Sequence, residues 1–525
     1  MHCRLSLLST CAALLAAAPL AAQGGPRQPS APTLRTAVET ITETDFRRRL
    51  AVIADDSMRG RATPSPELEK TAAYIADAFR RFGLRPGGDN GTFVQRYPIQ
   101  RTQPDSASAL TATGPGVQSR WALGSELAVL EGALPDGFAG APVVLMAGLS
   151  ANDERPFGDV DVRGAVIFQV LPLAAQMQQN RLLGAVARGA AAGARAWVFL
   201  FNLPPRFFAA RARDALAPQY EVPGLASLVP LPLLLMRDTS ATDVLRAAGE
   251  DLVALRDTAL HAVRPLRGVT VSLAGGMRVA DRTSAPNVVG ILEGSDPRLR
   301  NEYVLITGHM DHVGVAGGGE GCTAQGADSI CNGADDDGSG TIGVVELAQA
   351  FAQLHPRPHR SLVFLTVSGE ERGLWGSGWY AAHPERPLDR TVADLQMDMI
   401  GRNWRDSIAV VGKEHSTLGA AVDRVNAAHP ELGMRLVDDP WHGQFYMQSD
   451  HYSFARRGVP AIFFFNGVHP ELHTPKDEID RIDAEKAARI VRMVFYLALD
   501  VANATAPPEW DPAARRRIVL GAGNP

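Results

Sequence analysis

The sequence predicts an α/β fold: a doubly wound, mostly parallel central sheet with helices on both faces, interrupted by a smaller, β-rich α/β domain. Three observations predict it. From residue 287 onward, short apolar runs alternate with helix-length segments. Those runs are almost continuously apolar, as strands covered on both faces must be. A stretch rich in Ala, Val, Leu and Pro, about residues 108–283, separates this half from an N-terminal part, and polar groups suited to catalysis are sparse in it.

Taken in order, residues 23–39 are rich in Pro, Gly, Gln and Ser and read as a flexible lead-in. Residues 43–57 and 66–83 read as helices; in the second, Ala72, Ile75, Ala78 and Phe79 share one face and Gly83 supplies the stop. "GTFVQRYPIQ" alternates like a strand. Within 108–283, "APVVLMA", "GAVIFQVLP" and "AWVFLF" read as strands and "LLGAVARGAAAGA" as a helix. The catalytic-looking half, 284–505, offers strands "EYVLITG", "SLVFLTVSG", "ADLQMDM" and "VPAIFFFN", and helices over 339–354, 416–428 and 483–503. With 40–107 as the N-terminal part of the same domain, a tail over 506–525 completes the chain, loosely ordered or packed on the surface.

The first 22 residues combine Arg4, a short apolar run broken by Pro19, and a small-residue site, with cleavage expected after Ala22. This is the layout of a secretory signal peptide, too short for a membrane span. The chain is therefore expected to be exported, periplasmic or secreted. No later stretch is long and apolar enough to span a bilayer. Export leaves two of the four cysteines, Cys322 and Cys331. In an oxidising compartment they are expected to close a small disulfide loop, against the alternative of two buried free thiols. Lys+Arg is 52 against Asp+Glu 57, a net charge of −5, so the chain has no basic footprint for nucleic acid.

Ligands of open α/β sheets bind beyond the carboxyl ends of the strands. Here each strand of the second half is followed by a carboxylate or an imidazole. His309, Asp311 and His312 follow "EYVLITG", Glu370 and Glu371 follow "SLVFLTVSG", and Asp398 ends "ADLQM". The run Asp335, Asp336, Asp337 opens the helix at 339–354, and His469 and His473 come after "VPAIFFFNG". So many acids cannot all ionise together without strong cations among them. Imidazole with carboxylate and no thiolate suits Zn²⁺ best, with Mn²⁺ or Co²⁺ as alternatives, and two ions share the charge better than one.

The stretches "GHMDHVG", "NGADDDGSGT", "SGEERGLWGS", "LQMDMIG", "SDHYSFARRGVPAIF" and "LHTPKDEID" resemble, in this order, the co-catalytic di-zinc aminopeptidases (metallopeptidase family 28). Relatives of that family include bacterial leucyl aminopeptidases, glutamate carboxypeptidase II and glutaminyl cyclases. "VRGAVIFQV" followed by "ARGAAAGARAWVFL" is similar to a protease-associated domain. The resemblance implies a zinc-exopeptidase fold and two Zn²⁺ per chain. One ion would take His309 and Asp398, the other Glu371 and His473, and Asp336 would bridge them through a residue whose following peptide is cis. Asp335 would be a neighbour. Asp311 would orient His309, and Asp450 would stand behind the ligands. Glu370 would be the general base and Tyr446 the oxyanion donor. His312, His442, His451 and His469 would be loop or helix-surface histidines. The activity implied is release of N-terminal residues from peptides. Carboxypeptidase or glutaminyl cyclase action, or a non-catalytic binding module on the same fold, are the alternatives.

Overall fold

Strands Tyr303–His309 and Ser361–Val367 are buried at every position and run parallel, with Tyr303 opposite Ser361 and His309 opposite Val367. Alternate side chains point to opposite faces of a strand, and the packing follows. Val304, Ile306, Leu362 and Phe364 enter one core, shared with helices Gly340–Ala352 and Ala484–Asn503. Leu305, Val363 and Leu365 enter a second core, on the other face, with Tyr380 and Phe454. The continuous apolar runs in the sequence are thus two alternating sets, each with its own layer of helices. These relations come from a computed structural model, which describes residues 29–520 apart from 132–133, 135–136, 150–154, 172–178, 226–230, 258–260, 319–320 and 442.

Among the described residues, the main sheet has ten strands. Its centre is parallel: Thr391–Met397 and Ser361–Val367 flank Tyr303–His309, and Ala461–Phe465 lies beyond Thr391–Met397. Antiparallel strands extend it on both sides, Met277–Leu292 and Val94–Pro104 at one flank and Ser407–Val411 at the other. The chain leaves Tyr303–His309 for one neighbour and later returns to the opposite one. The carboxyl end of this strand is therefore a topological switch point, where a crevice opens.

Val94–Pro104 and Met277–Leu292 pair along their length, and Pro104 lies opposite Met277. Between them a second, eight-stranded sheet is built wholly from strands within Ala109–Ala274, around a core running from Leu110 to Leu273. It returns one strand, Gln219–Glu221, to the edge of the main sheet.

In the N-terminal part, helix Pro66–Arg81 begins at Ser65, whose hydroxyl accepts from the Leu68 amide, and carries Glu67 and Glu69 in its first turn. These are favourable end groups for a helix. Leu68, Ala72, Ile75 and Phe79 form its buried face. Helix Ala31–Val38 lies in the segment expected to be a flexible lead-in. Ser30 caps it, and Ala37 and Val38 are buried in the main core, which orders the segment. The tail also packs: Trp510 donates to the Gly458 carbonyl at 2.8 Å, and Ala514 and Ile518 are buried against Val411 and Tyr446. The expected signal peptide lies outside the described residues. Among those described, no helix is long and apolar enough to cross a membrane.

Candidate metal centre

The three aspartates of "ADDDG" go three ways. Asp337 turns inward and ties the site together. Its Oδ2 accepts from the His309 amide at 3.0 Å, and its Oδ1 from the amides of Gly340 at 2.8 Å and Met399 at 3.2 Å. The end of one strand, the start of a helix and the loop after another strand thus meet on one buried carboxylate. Asp335 turns to the loop side, where its Oδ1 accepts from Gly401 N at 2.6 Å and from the Ser339 hydroxyl. Asp336 projects between His309 and His473. Its Oδ1 lies 3.3 Å from His309 Nε2 and its Oδ2 3.1 Å from His473 Nε2. Asp477 steadies the run by accepting from the amides of Asp335 and Asp336.

Two glycines make this approach possible. A Cβ at Gly340 would stand 2.2 Å from the Met397 carbonyl, so only glycine lets the helix start against that strand end. Gly333 has φ +57, which side chains rarely adopt, and a Cβ there would strike the His312 ring. The loop is pinned by Arg61, which is wholly buried and donates to the carbonyls of Ile53, Met310, Asn332 and Gly333.

Around Asp336 the donors form two groups, each with its ligand atoms within 4.8 Å of one another: His312, Asp336, Glu371 and His473, and His309, Asp337 and Asp398. Glu371 Oε2 is 3.1 Å from His473 Nε2, and Asp398 Oδ1 is 3.7 Å from His309 Nε2. Behind His309, Asp311 lies 3.6 Å from Nδ1 and accepts from the Thr63 hydroxyl at 2.9 Å. Glu370 Oε2 is 3.9 Å from His309 Nε2. Asp450 is fully buried within electrostatic range of His309, Asp311 and Asp398, and burial pushes its carboxyl up to about 7. The His473 side chain is 40% exposed, so the cluster opens on that side.

The residues fit divalent ions. Asp398 Oδ1 is buried without a hydrogen-bond partner and faces the cluster. Burial opposes charge on His473, yet the Asp336 and Glu371 carboxylates outweigh it and raise the imidazole to about 10. Burial would likewise raise the Asp336 carboxyl, but the surrounding imidazoles hold it well below its usual range. Protons thus occupy the place a cation takes, and metal binding displaces them. An all-nitrogen and oxygen donor set with this many carboxylates suits zinc.

Several expectations need correction. Tyr446 does not reach the cluster. It is buried, its hydroxyl points toward the Ala461 carbonyl 3.5 Å away, and its ring packs edge-on against His415 and His451. Ala461 begins its strand, whereas the site lies beyond the strand's other end, so the loop geometry turns this tyrosine away. We expect Tyr446→Phe to keep kcat within about threefold of wild type, because so long a hydrogen bond contributes little; steady-state rates on a leucyl anilide check this. His312, His451 and His469 are not surface residues: all three are buried. His451 stacks on Phe463, where burial lowers its pKa to about 3, and His469 Nε2 lies 3.5 Å from Asp335 Oδ2. His442 lies outside the described residues. The peptide after Asp336 is trans; among the described residues, cis peptides occur only at Thr63–Pro64 and His355–Pro356, where proline lowers their cost. Asp337, absent from the ligand set that the resemblance implies, is the residue that the sequence reading missed. Its signal was a carboxylate three residues before the helix start at Gly340. Cys322 and Cys331 are bonded, and Cys331 packs under the His473 carbonyl.

The parallel centre of the sheet delivers imidazoles and carboxylates to one crevice, the setting of a metal site in an α/β fold. Residues 287–498 match the model described as "Peptidase family M28". A "Probable leucine aminopeptidase" of Arthroderma otae is 24% identical over 255 residues, 46% of this chain and 64% of the relative. "Leucine aminopeptidase 1" of Penicillium rubens is 29% identical over 186 residues, 33% of this chain and 48% of the relative. The chain thus spans about half to two thirds of the length of these curated relatives. Among solved structures, the aminopeptidase from Aneurinibacillus sp. strain AM-1 aligns with a TM-score of 0.50 at 19% identity, covering 91% of this chain and 98% of that one, a likeness of fold.

Proposed function

We propose that the chain is an exported di-zinc aminopeptidase that releases N-terminal residues from peptides. The observation that carries this reading is the single Asp336 carboxylate, with one oxygen facing His309 and the other His473. A carboxylate so placed could serve two ions, for which His309 and Asp398 on one side and Glu371 and His473 on the other would be the holding residues. Bound there, zinc supplies Lewis acidity toward a scissile carbonyl and a lowered pKa for the attacking water.

The chain's own residues do the rest. Glu370, buried beside the cluster, takes the proton of the attacking water and hands it to the leaving amine. Asp311 holds His309 in one orientation, as the partner of a metal-bound imidazole does. Apolar side chains crowd the loops that follow Asp398 and strand Ala461–Phe465. Trp404 and Val468 are exposed there, and Trp441 stacks on Trp404 and packs on Phe465. Such a patch selects a leucine-sized apolar residue, in keeping with the names the fungal relatives bear. The inserted unit over 108–283 is proposed to be a protease-associated domain. The Cys322–Cys331 bridge supports export to an oxidising compartment.

The test is a chelated and zinc-reconstituted preparation assayed on leucyl anilide, N-blocked peptides and N-terminal glutamine peptides. We expect cleavage of the free-amine substrates, loss on chelation and recovery with zinc. Equal rates for metal-free and loaded protein would sink the metal reading, and turnover confined to the blocked or glutamine substrates would replace the aminopeptidase reading with a carboxypeptidase or cyclase.

A further inference from the structure

We infer that His312 is a positioning residue for the metal cluster, holding the Glu371 carboxylate so that one of its oxygens stays turned toward His473 and Asp336. The inference rests on the two-metal reading above. His312 is completely buried, three residues beyond His309. Its Nδ1 lies 2.8 Å from Glu371 Oε1, while Glu371 Oε2 lies 3.1 Å from His473 Nε2. The two oxygens of one carboxylate are therefore divided between an imidazole on the inner side and one on the open side. Nδ1 is also 3.6 Å from Asp336 Oδ2, too long for a second hydrogen bond of comparable strength.

The His312 ring is itself held. It lies against Gly333, where any Cβ would come within 2.4 Å of Cγ, and the His312 amide approaches the Arg61 carbonyl at 3.4 Å. Arg61 in turn grips the Gly333 carbonyl. Among the described residues His312 Nε2 has no hydrogen-bond partner, so the Nδ1 contact and the packing on Gly333 set the direction of the ring. With Nδ1–H donating to Oε1, a flexible glutamate is fixed in one rotamer before any ion arrives. Residues that orient metal-binding side chains from behind are worth about 10–100-fold in affinity. The effect falls on one ion of the two, because Glu371 faces only the His473 side.

The experiment compares wild type, His312→Leu and His312→Asn. Zinc stoichiometry and affinity are read by chelator competition on the metal-depleted proteins, and their urea midpoints serve as a folding control. Leucine keeps the bulk without a donor, whereas asparagine places an amide N–H where Nδ1 stood. We expect His312→Leu to bind one zinc within threefold of wild type and the other about 10–100-fold more weakly. His312→Asn should recover both within about threefold. If His312→Leu does not fold, His312→Gln, whose amide is displaced from Glu371, takes its place. Wild-type affinity for both ions in the leucine or glutamine variant overturns the inference, as does an asparagine variant as weak as the leucine one. Failure of the wild type to bind zinc removes the metal reading and this inference together, so the two failures are told apart.

Discussion

Glu370→Gln should bind two zinc ions as the wild type does and lose about 10²–10⁴-fold in kcat, the usual contribution of a general base. The structure separates the two adjacent glutamates by the turn before them. Gly369 has φ +74, and a Cβ there would stand 2.7 Å from the Tyr97 hydroxyl. From that turn, Glu371 reaches His312 and His473, whereas Glu370 stands beside His309. The Glu370 amide approaches Asp311 Oδ1 at 3.4 Å, so the same carboxylate that backs His309 also helps position Glu370. Burial, reinforced by neighbouring carboxylates, raises the Glu370 carboxyl well above its usual range in the metal-free cluster, against the pull of His309. Glutamine preserves its size and its capacity to donate but cannot accept the proton. Steady-state rates on leucyl anilide, with zinc measured on the same preparation, decide the matter. A loss smaller than tenfold with full zinc would remove Glu370 from the proton path.

Asp336→Ala should have the broadest effect, because one side chain serves both halves of the site. We expect zinc content to fall from two per chain to below one, and activity to fall to that of chelated protein. Asp398→Ala, which touches only the His309 side, should keep one ion. Thermal unfolding provides an independent readout. A ligand that binds only the native state at a thousandfold excess over its Kd stabilises it by about 4 kcal/mol per site. The zinc-induced rise in Tm should vanish in Asp336→Ala, with each variant's own metal-free melt as the reference. Retention of two ions would exclude the bridging role.

The strand-end rule located much of the site. His309, Glu371 and Asp398 each stand at or just beyond the carboxyl end of a parallel strand, a placement that depends on local pattern alone. The same rule could not say which of several nearby histidines turns inward. His312 and His473 lie within 5.4 Å, ring to ring, although 160 residues of chain separate them. His312 is buried because Arg61 and Gly333 close over it, and nothing near it in the sequence records that. Tyr446 shows the converse. The family resemblance implied a role for it at the site, but its ring packs against His415 and the tail residues Ala514 and Ile518.

By itself, then, the sequence determined the four central parallel strands and three long helices of the second half, and the donor types at the strand ends, because apolar periodicity and ligand hardness are properties of residues in order. The tertiary structure alone decided how that set is arranged: Asp337 as a tie between elements, His312 inside and Tyr446 turned away. Direction and burial of a side chain depend on contacts between segments distant in the chain, and those exist only once the sheet has brought its strand ends together.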